Sequence, residues 1–367
     1  MGKRELLIVI VFVALGTVAY QIAAPPATGD RGFSFSKIFS EARREMRGNP
    51  GQGKHVHKGS VPIPADLREV RLIGVSEGVK ILGDAEGNTV DYEFTVSSNG
   101  PDDATAVGYA RETALERDDL GDSMVFRAVY PKPASQRSTI TMHVPARLAV
   151  RIEGSLGADV KNVAAVHLEA MRSTVTLSNV AGSITGVHQD GDFIITGAKS
   201  LKLRLIRSKT KITNVTGGLT LDLRDTDTEI TESAGALEVD EVRSDLSVSD
   251  HKGAITVRGN DGSVTITRPT AETRVDVRRA EIELLVERAV PMTIITSDES
   301  LRLILAGAPA FSLDAAASDA AIQAVDFDLK PEVVEADARL THQFGAKSDV
   351  RITLRNTRGE IILRKKK

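Results

Sequence analysis

Residues 217–257 read GGLTLDLRDTDTEITESAGALEVDEVRSDLSVSDHKGAITV, and one pattern occurs three times in them at a constant interval. A small residue, at Gly217, Gly235 and Gly253, is followed two and four positions later by aliphatic residues. Aliphatic residues at alternate positions are typical of a half-buried β-strand, whose side chains point to opposite faces in turn. The pattern therefore predicts a repeating unit of strand, turn and strand.

The repeat extends beyond this stretch in both directions. The small residue recurs at Ala165, Gly182, Gly217, Gly235, Gly253, Ala271, Ala289 and Gly307, with Lys199 in the place between Gly182 and Gly217. One apolar column runs through Leu203, Leu221, Val239, Val257, Val275 and later Phe311, and another through Ile195, Ile212, Ile230, Val248, Ile266 and Leu284. Residues 147–325 thus hold about ten units of roughly 18 residues, the self-similarity expected of a repeat architecture.

One such unit cannot bury its inner face alone, so the units must stack. Stacking gives each strand a parallel neighbour at about 4.8 Å and aligns the aliphatic residues in one continuous core. The aromatic content of 4%, with only Phe193 between residues 131 and 310, agrees with a core of Ile, Leu and Val. The predicted fold class is all-β, a single-stranded parallel β-solenoid (β-helix) with about 18 residues per coil, preceded by an N-terminal transmembrane helix. Asn162, Asn179 and Asn214 share one register, and we interpret them as stacked corner residues, because Asn tolerates the left-handed conformation.

The N-terminus carries a candidate membrane segment. Lys3 and Arg4 precede an uncharged stretch from Leu6 to Gly29, and about 20 mostly apolar residues suffice to span a bilayer. An uncleaved anchor through residues 6–24 would leave the N-terminus in the cytoplasm. The protein would then be a single-pass protein of the bacterial inner membrane, with its body in the periplasm or outside the cell. A signal peptide, cleaved on export, is the other interpretation.

The chain divides by composition into five parts. Residues 48–60 (GNPGQGKHVHKGS) have the glycine-rich, polar composition of a linker. The predicted parts are a cytoplasmic stub and transmembrane anchor or signal peptide (1–29), an amphipathic segment and linker (30–60), irregular first coils or a β cap (61–146), regular coils (147–325) and a C-terminal cap ending in a closing pair of strands (326–367).

The coil Gly217-Gly218-Leu219-Thr220-Leu221, its counterpart Gly253-Ala254-Ile255-Thr256-Val257 and the ending Asn356-Thr357-Arg358-Gly359-Glu360-Ile361-Ile362 resemble the putative-adhesin β-solenoid family of bacterial envelope proteins. The resemblance covers residues 66–364. It implies a parallel solenoid exported to the envelope, and it carries over no catalytic residue because the family has no established active-site motif.

The sequence offers little that would support catalysis or a cofactor. It has no cysteine, no GxSxG elbow and no phosphate-binding loop, so we predict no enzyme, no catalytic residue and no cofactor. Asp222, Asp225, Asp227 and Glu229 could contribute oxygens to a calcium site, but their alternation with threonine favours a solvated face. His55 and His57 lack an evident third ligand, and we predict no metal.

The charge pattern limits the partners. Lys and Arg number 47 against 50 Asp and Glu, which gives no case for nucleic acid. Basic residues gather within about one coil at Lys199, Lys202, Arg204, Arg207, Lys209 and Lys211. This basic patch could receive an anionic polymer or could be a solvated face.

Taken together, these features predict a membrane-anchored extracytoplasmic β-solenoid, an adhesin-like binding or scaffold protein of the bacterial envelope whose partner is an envelope protein or a glycan. A polysaccharide-binding or polysaccharide-processing β-helix protein is one alternative. A self-assembling solenoid scaffold or envelope signalling partner is another.

Overall fold

A computed structural model describes residues 51–154 and 157–366 of the chain. Within them nearly all regular structure is strand, with one α-helix, α1 (Asp103–Glu112), and one 3₁₀ turn at Pro133–Ser135. The strands are β1 Gly51–Pro62, β2 Glu69–Ile73, β3 Gly78–Leu82, β4 Thr89–Gly100, β5 Ala114–Leu120, β6 Ser123–Val129, β7 Gln136–His143, β8 Ala149–Glu153, β9 Gly157–Lys161, β10 Ala165–Met171, β11 Val175–Val215, β12 Leu219–Arg224, β13 Asp227–Thr231, β14 Leu237–Ser249, β15 Ile255–Thr267, β16 Thr273–Val286, β17 Met292–Ser297, β18 Leu301–Leu305, β19 Phe311–Ser318, β20 Ile322–Ala324, β21 Glu332–Val334, β22 Asp337–Phe344, β23 Arg351–Thr357 and β24 Ile361–Lys365. The all-β prediction is confirmed for these residues.

Equivalent positions of the repeat pair with one another in parallel. A first ladder joins segments that begin at Leu201, Leu219, Leu237 and Ile255, each one repeat after the last. A second ladder joins segments that begin at Lys209, Asp227, Asp245 and Ser263 at the same interval. Each unit of the repeat therefore contributes one strand to each ladder.

The core is an aliphatic column between the two ladders. Leu203, Leu221, Val239, Val257 and Val275 are each at most 4% exposed, and the second predicted apolar column is buried as well. Burying a Leu, Ile or Val side chain is worth about 1.5–3 kcal/mol, so the repeated column supplies the main driving force for stacking. The spacing places Phe311 in the first column, and this prediction is wrong. Ala315 occupies that place, through Ile294 and Leu354, because the chain leaves the regular register of the repeat after β18.

The turns between the ladders are made by residues in the left-handed conformation. Asn162, Asn179 and Asn214 have φ of 58°, 54° and 59°, and the side chain of Asn179 donates to Oδ1 of Asn162 at 3.1 Å. The prediction of left-handed corners is confirmed for all three, and the amide contact along the stack is confirmed for Asn162 and Asn179. The opposite corner carries alternating acids and arginines, also at positive φ: Asp190, Arg207, Asp225, Arg243, Asp261, Arg279, Asp298 and Arg358.

Strand order in space departs from chain order near both ends. Strand β2 lies between β6 and β8, and β3 lies between β7 and β9. At the other end β23 lies between β17 and β19, and β24 lies between β18 and β20. The last two strands of the chain are thus interior members of the ladders, which differs from the closing pair expected at the C-terminus.

Antiparallel strands cover the ends of the parallel ladders. On the N-terminal side β1 pairs with β4, β4 with β7, and β5 with β6. On the C-terminal side β22 pairs antiparallel with β19, and β21 pairs with β22. Covering the edge of a sheet removes a row of unpaired backbone groups that would otherwise pair with another chain.

The prediction of a linker up to residue 60 is wrong for residues 51–60, which belong to β1. The glycines serve close packing there, because a Cβ on Gly51 would lie 2.0 Å from the carbonyl carbon of Asp102, and one on Gly53 would lie 2.3 Å from that of Ala106. Helix α1, which begins after an Asp102 side chain that accepts from the Thr105 amide at 2.7 Å, packs against this strand.

The predicted anchor at 6–24 and the amphipathic segment before residue 51 lie outside the described residues. Across residues 51–154 and 157–366, no helix combines the length and the apolar character needed to cross a membrane.

Candidate binding surface

The six residues of the basic patch are all exposed, and four of them are divided between the two ladders, while Lys199 precedes the first ladder segment. Lys202 and Arg204 lie on the first ladder, and Lys209 and Lys211 lie on the second. Arg207 is at the corner that separates them, with φ of 48°. The sequence groups these charges in one coil, but the fold places them on different strands.

Acidic residues of neighbouring coils neutralise half of the basic patch. Arg204 contacts Asp222 at 3.2 Å, and Lys211 contacts Glu229 at 3.4 Å. Arg207 binds Asp190 through two hydrogen bonds of 2.6 and 3.0 Å, which lower the pKa of Asp190. Exposed pairs of this kind contribute little to stability, but they reduce the charge that the basic patch offers to a ligand.

Two of the four acids that could contribute to a calcium site, Asp222 and Glu229, pair with residues of the basic patch. Asp222 contacts Arg204 and Arg224, and Asp225 accepts two hydrogen bonds from Arg243 at 2.6 and 2.9 Å. Asp227 and Glu229 lie on the second ladder, in register with Lys209 and Lys211. Among the described residues no group of three or more His, Asp or Glu side chains is arranged to hold a metal ion.

Glu241 and His251 are buried ionisable side chains that have polar atoms without a hydrogen-bond partner. Glu241 is 1% exposed and neither carboxyl oxygen has a hydrogen-bond partner, so burial, with a smaller effect from the charge of Asp245, raises its pKa to about 8. Nδ1 of His251 has no hydrogen-bond partner, and its Nε2 lies 2.9 Å from the Gly235 carbonyl oxygen. Burial lowers the pKa of His251. Both side chains therefore favour the neutral form.

A second basic cluster, which sequence reasoning missed, surrounds Asp314 on β19. Its carboxylate accepts from Nη2 of Arg351 at 2.6 Å and from Nη2 of Arg355 at 2.9 Å, while Nη2 of Arg339 lies 3.6 Å from the other oxygen. The two strands that flank β19 supply these arginines, since β22 carries Arg339 and β23 carries Arg351 and Arg355.

The electrostatics of this cluster are unbalanced. One carboxylate faces three guanidinium groups, the most distant of them at 3.6 Å, which leaves an excess of two positive charges around Asp314. The hydrogen bond from Arg355, followed by that from Arg351, holds the pKa of Asp314 below its usual range, so the acid stays charged. Asp314 is 8% exposed at its side chain, whereas Arg339 and Arg351 are each 64% exposed.

Arg339 and Arg351 border a cavity of about 450 Å³, which we call the arginine groove. It is lined by Ser312, Leu313, Asp314, Arg339, Thr341, His342, Gln343 and Arg351. A volume of this size is within the range of small-molecule and sugar sites. The signal available in the sequence was the alternation Arg351-Ile352-Thr353-Leu354-Arg355, which places both arginines on one face of a strand. Their meeting with Arg339 depends on strand order, which the repeat does not specify.

No protein-family model matches the chain, and no curated protein matches it. Three solved structures are similar in part. A putative cell adhesion protein from Clostridium sporogenes is 11% identical over 87% of this chain and 100% of its own, with a TM-score of 0.19. A putative adhesin from Parabacteroides distasonis is 12% identical over 66% of this chain and 94% of its own, with a TM-score of 0.35. A putative adhesin from Bacteroides fragilis is 10% identical over 84% and 97%, with a TM-score of 0.22. Similarities with identities and TM-scores this low carry no conclusion about the function of this chain.

Proposed function

We propose that this chain is a membrane-anchored, extracytoplasmic β-solenoid that acts as an adhesin-like binding or scaffold protein of the bacterial envelope, without catalytic activity. The solenoid is the simplest path for a chain whose equivalent residues pair in parallel, coil after coil, in two ladders. Each coil contacts its neighbours in such a stack, so outward residues can vary while the aliphatic column keeps the shape.

The observation that carries the binding role is the arginine groove. Several surface arginines of the regular coils are paired with an acid one repeat away, as Arg243 is with Asp225 and Arg268 with Asp250. Around Asp314, by contrast, basic groups outnumber acidic ones by two. An excess of exposed guanidinium groups suits the holding of an anion. It does not suit proton transfer, because the one acid there has a lowered pKa and is tied to arginine.

The anchoring part of the proposal is tested by where the body lies. We expect alkaline phosphatase fused after residue 60 to be active in a bacterial host, and we expect the intact chain to pellet with membranes after washing in high salt. Replacing Leu6, Ile8 and Val11 by lysine should release the chain from the membrane. An inactive fusion, or a wild-type chain recovered in the soluble cytoplasmic fraction, would contradict the anchor and the extracytoplasmic location.

The binding role is tested with the same full-length chain. We expect purification from envelope fractions to recover a specific protein or glycan, and a glycan array to show selective binding. A chain that retains no envelope component in either experiment would contradict a binding role.

A further inference from the structure

The arginine groove contains hydrogen-bond donors that the fold does not use. Arg339 makes no hydrogen bond to any described residue, and its closest acidic atom is Oδ1 of Asp314 at 3.6 Å. Arg351 uses Nη2 alone, so its Nε and Nη1 donors remain available. A guanidinium group has five donors in a fixed plane and binds carboxylates and sulfates through two of them at once. The groove can therefore offer a bidentate contact from each of two arginines.

Asp314 fixes this arrangement without neutralising it. It draws Arg351 and Arg355 to the centre of three adjacent strands, and Arg355 also donates to the backbone carbonyl of Asp314 at 2.7 Å. Arg355 is thereby committed to the protein, whereas Arg339 and Arg351 extend toward solvent. Glu332 pairs with Arg339 across the β21–β22 ladder, but no ion pair joins their side chains in the described part of the chain.

Uncharged polar groups lie beside these charges. Ser312 is in register with Gln343 on one side and with Arg351 on the other. Gln343 donates through Nε2 to the carbonyls of Phe344 and Ala346, which leaves its side-chain oxygen as an acceptor. Hydroxyl and amide groups beside the arginines can form hydrogen bonds with sugar hydroxyls that surround a charged substituent.

We propose that the arginine groove binds the carboxylate or sulfate group of an acidic polysaccharide, with Arg339 and Arg351 as the anion-binding residues. The body repels a densely charged polyanion, since residues 61–367 carry 38 basic and 46 acidic side chains, a net charge of −8. The lining has no Phe, Tyr or Trp on which nucleic-acid bases would stack. A polymer with spaced charges fits this pattern better than a nucleic acid does. The choice of a polysaccharide rests on the proposed function, whereas the anion site rests on the geometry alone.

The test uses the full-length chain in detergent and measures its affinity for lightly carboxymethylated dextran, lightly sulfated dextran and uncharged dextran. We expect binding to one or both anionic polymers, none to dextran, and weakening at high salt. The double variant Arg339→Gln/Arg351→Gln should bind at least about tenfold more weakly, because it loses charge-assisted hydrogen bonds. A matched variant of the basic patch, Lys202→Gln/Lys209→Gln, removes the same charge elsewhere and should stay within about twofold of wild type.

Three outcomes would overturn the inference. If the wild-type protein binds neither anionic polymer, the proposed site is wrong. If the two variants lose equal affinity, the binding is a general effect of charge and not of the arginine groove. A loss confined to the basic-patch variant would move the site there, while the proposed binding role would survive. A thermal melting curve checks that the double variant is folded. The single variant Arg339→Gln, which breaks no hydrogen bond of the fold, must show the same direction of change.

Discussion

Glu241 makes the stability of the body depend on pH. Glu241 lies in register between Leu223 of the preceding repeat and Gly259 of the next. Gly259 leaves room for the Glu241 side chain, since a Cβ at residue 259 would lie 2.5 Å from Cγ of Glu241. Because the pKa of Glu241 is raised to about 8, the folded chain keeps a proton that the unfolded chain loses above pH 4.5. Stability from this group is therefore present below about pH 4.5 and decreases as the pH rises toward 8.

We expect Glu241→Gln to remove this decrease. The shift corresponds to at most about 5 kcal/mol between pH 4.5 and 8, so the variant should be more stable than wild type at pH 8 and similar at pH 4.5. The free energy of urea unfolding, measured across this range, tests the expectation. The exposed neighbour variant Glu238→Gln should follow the wild-type profile, and a Glu241→Gln profile parallel to wild type would contradict the assignment.

The corner residues show how a residue type is selected by backbone conformation. Asn179 has φ of 54° and bonds to Asn162 at 3.1 Å. We expect Asn179→Ala to destabilise the body by about 1–2 kcal/mol, because alanine tolerates the left-handed region poorly. Asn179→Gly loses the same amide bond but removes the strain, so it should be the more stable of the two. Chemical denaturation of the pair measures the difference, and equal stabilities would argue against a strained corner.

At the scale of elements, strand β1 and helix α1 pack through glycine. A Cβ at Gly53 would meet the backbone of Ala106 at 2.3 Å, whereas a Cβ at Gly108, inside the helix, would meet nothing within 4 Å. We expect Gly53→Ala to destabilise the body by about 1–3 kcal/mol through overpacking. Gly108→Ala is the matched control and should stabilise it by up to about 1 kcal/mol through helix propensity. Similar effects of the two substitutions on the urea midpoint would contradict the close packing.

The contact between β1 and α1 also explains why the linker prediction is wrong for residues 51–60. The glycine-rich composition of residues 48–60 is typical of a linker, but Gly51 and Gly53 permit the close approach of two backbones in β1 and α1. Composition alone does not distinguish these two uses of glycine. The strands of the coils were predictable because alternation and the constant repeat interval both follow directly from side-chain burial, as Leu221 and Val239 illustrate.

At the scale of the whole molecule, the repeat predicts neighbours only where the chain follows it. Leu219 pairs with Leu237 because they are one coil apart, but Met292 pairs with Ile352, which lies much further along the chain. The arginine groove is a product of that second kind of pairing, so its residues could not be grouped from the sequence. The basic patch, which is continuous in sequence, is the cluster that the fold divides.

The interior position of the last strands leads to an expectation about truncation. In a stacked repeat each coil is stabilised mainly by its neighbours. Because β23 and β24 lie between β17–β18 and β19–β20, a chain ending at residue 350 loses an internal coil. We expect hydrogen exchange to show residues 311–344 losing protection while residues 201–267 keep it. A chain lacking only Lys367 is the control and should match wild type.

A removable end cap would behave differently. If β23 and β24 merely closed the stack, their loss would expose one edge and leave β19 and β22 protected by their own antiparallel pairing. Retained protection at Leu313 and Leu340 in the chain ending at residue 350 would therefore contradict the strand order. Loss of protection there should be accompanied by loss of anionic-polymer binding, since Arg351 is removed and Asp314 has lost both of its hydrogen-bonded arginines.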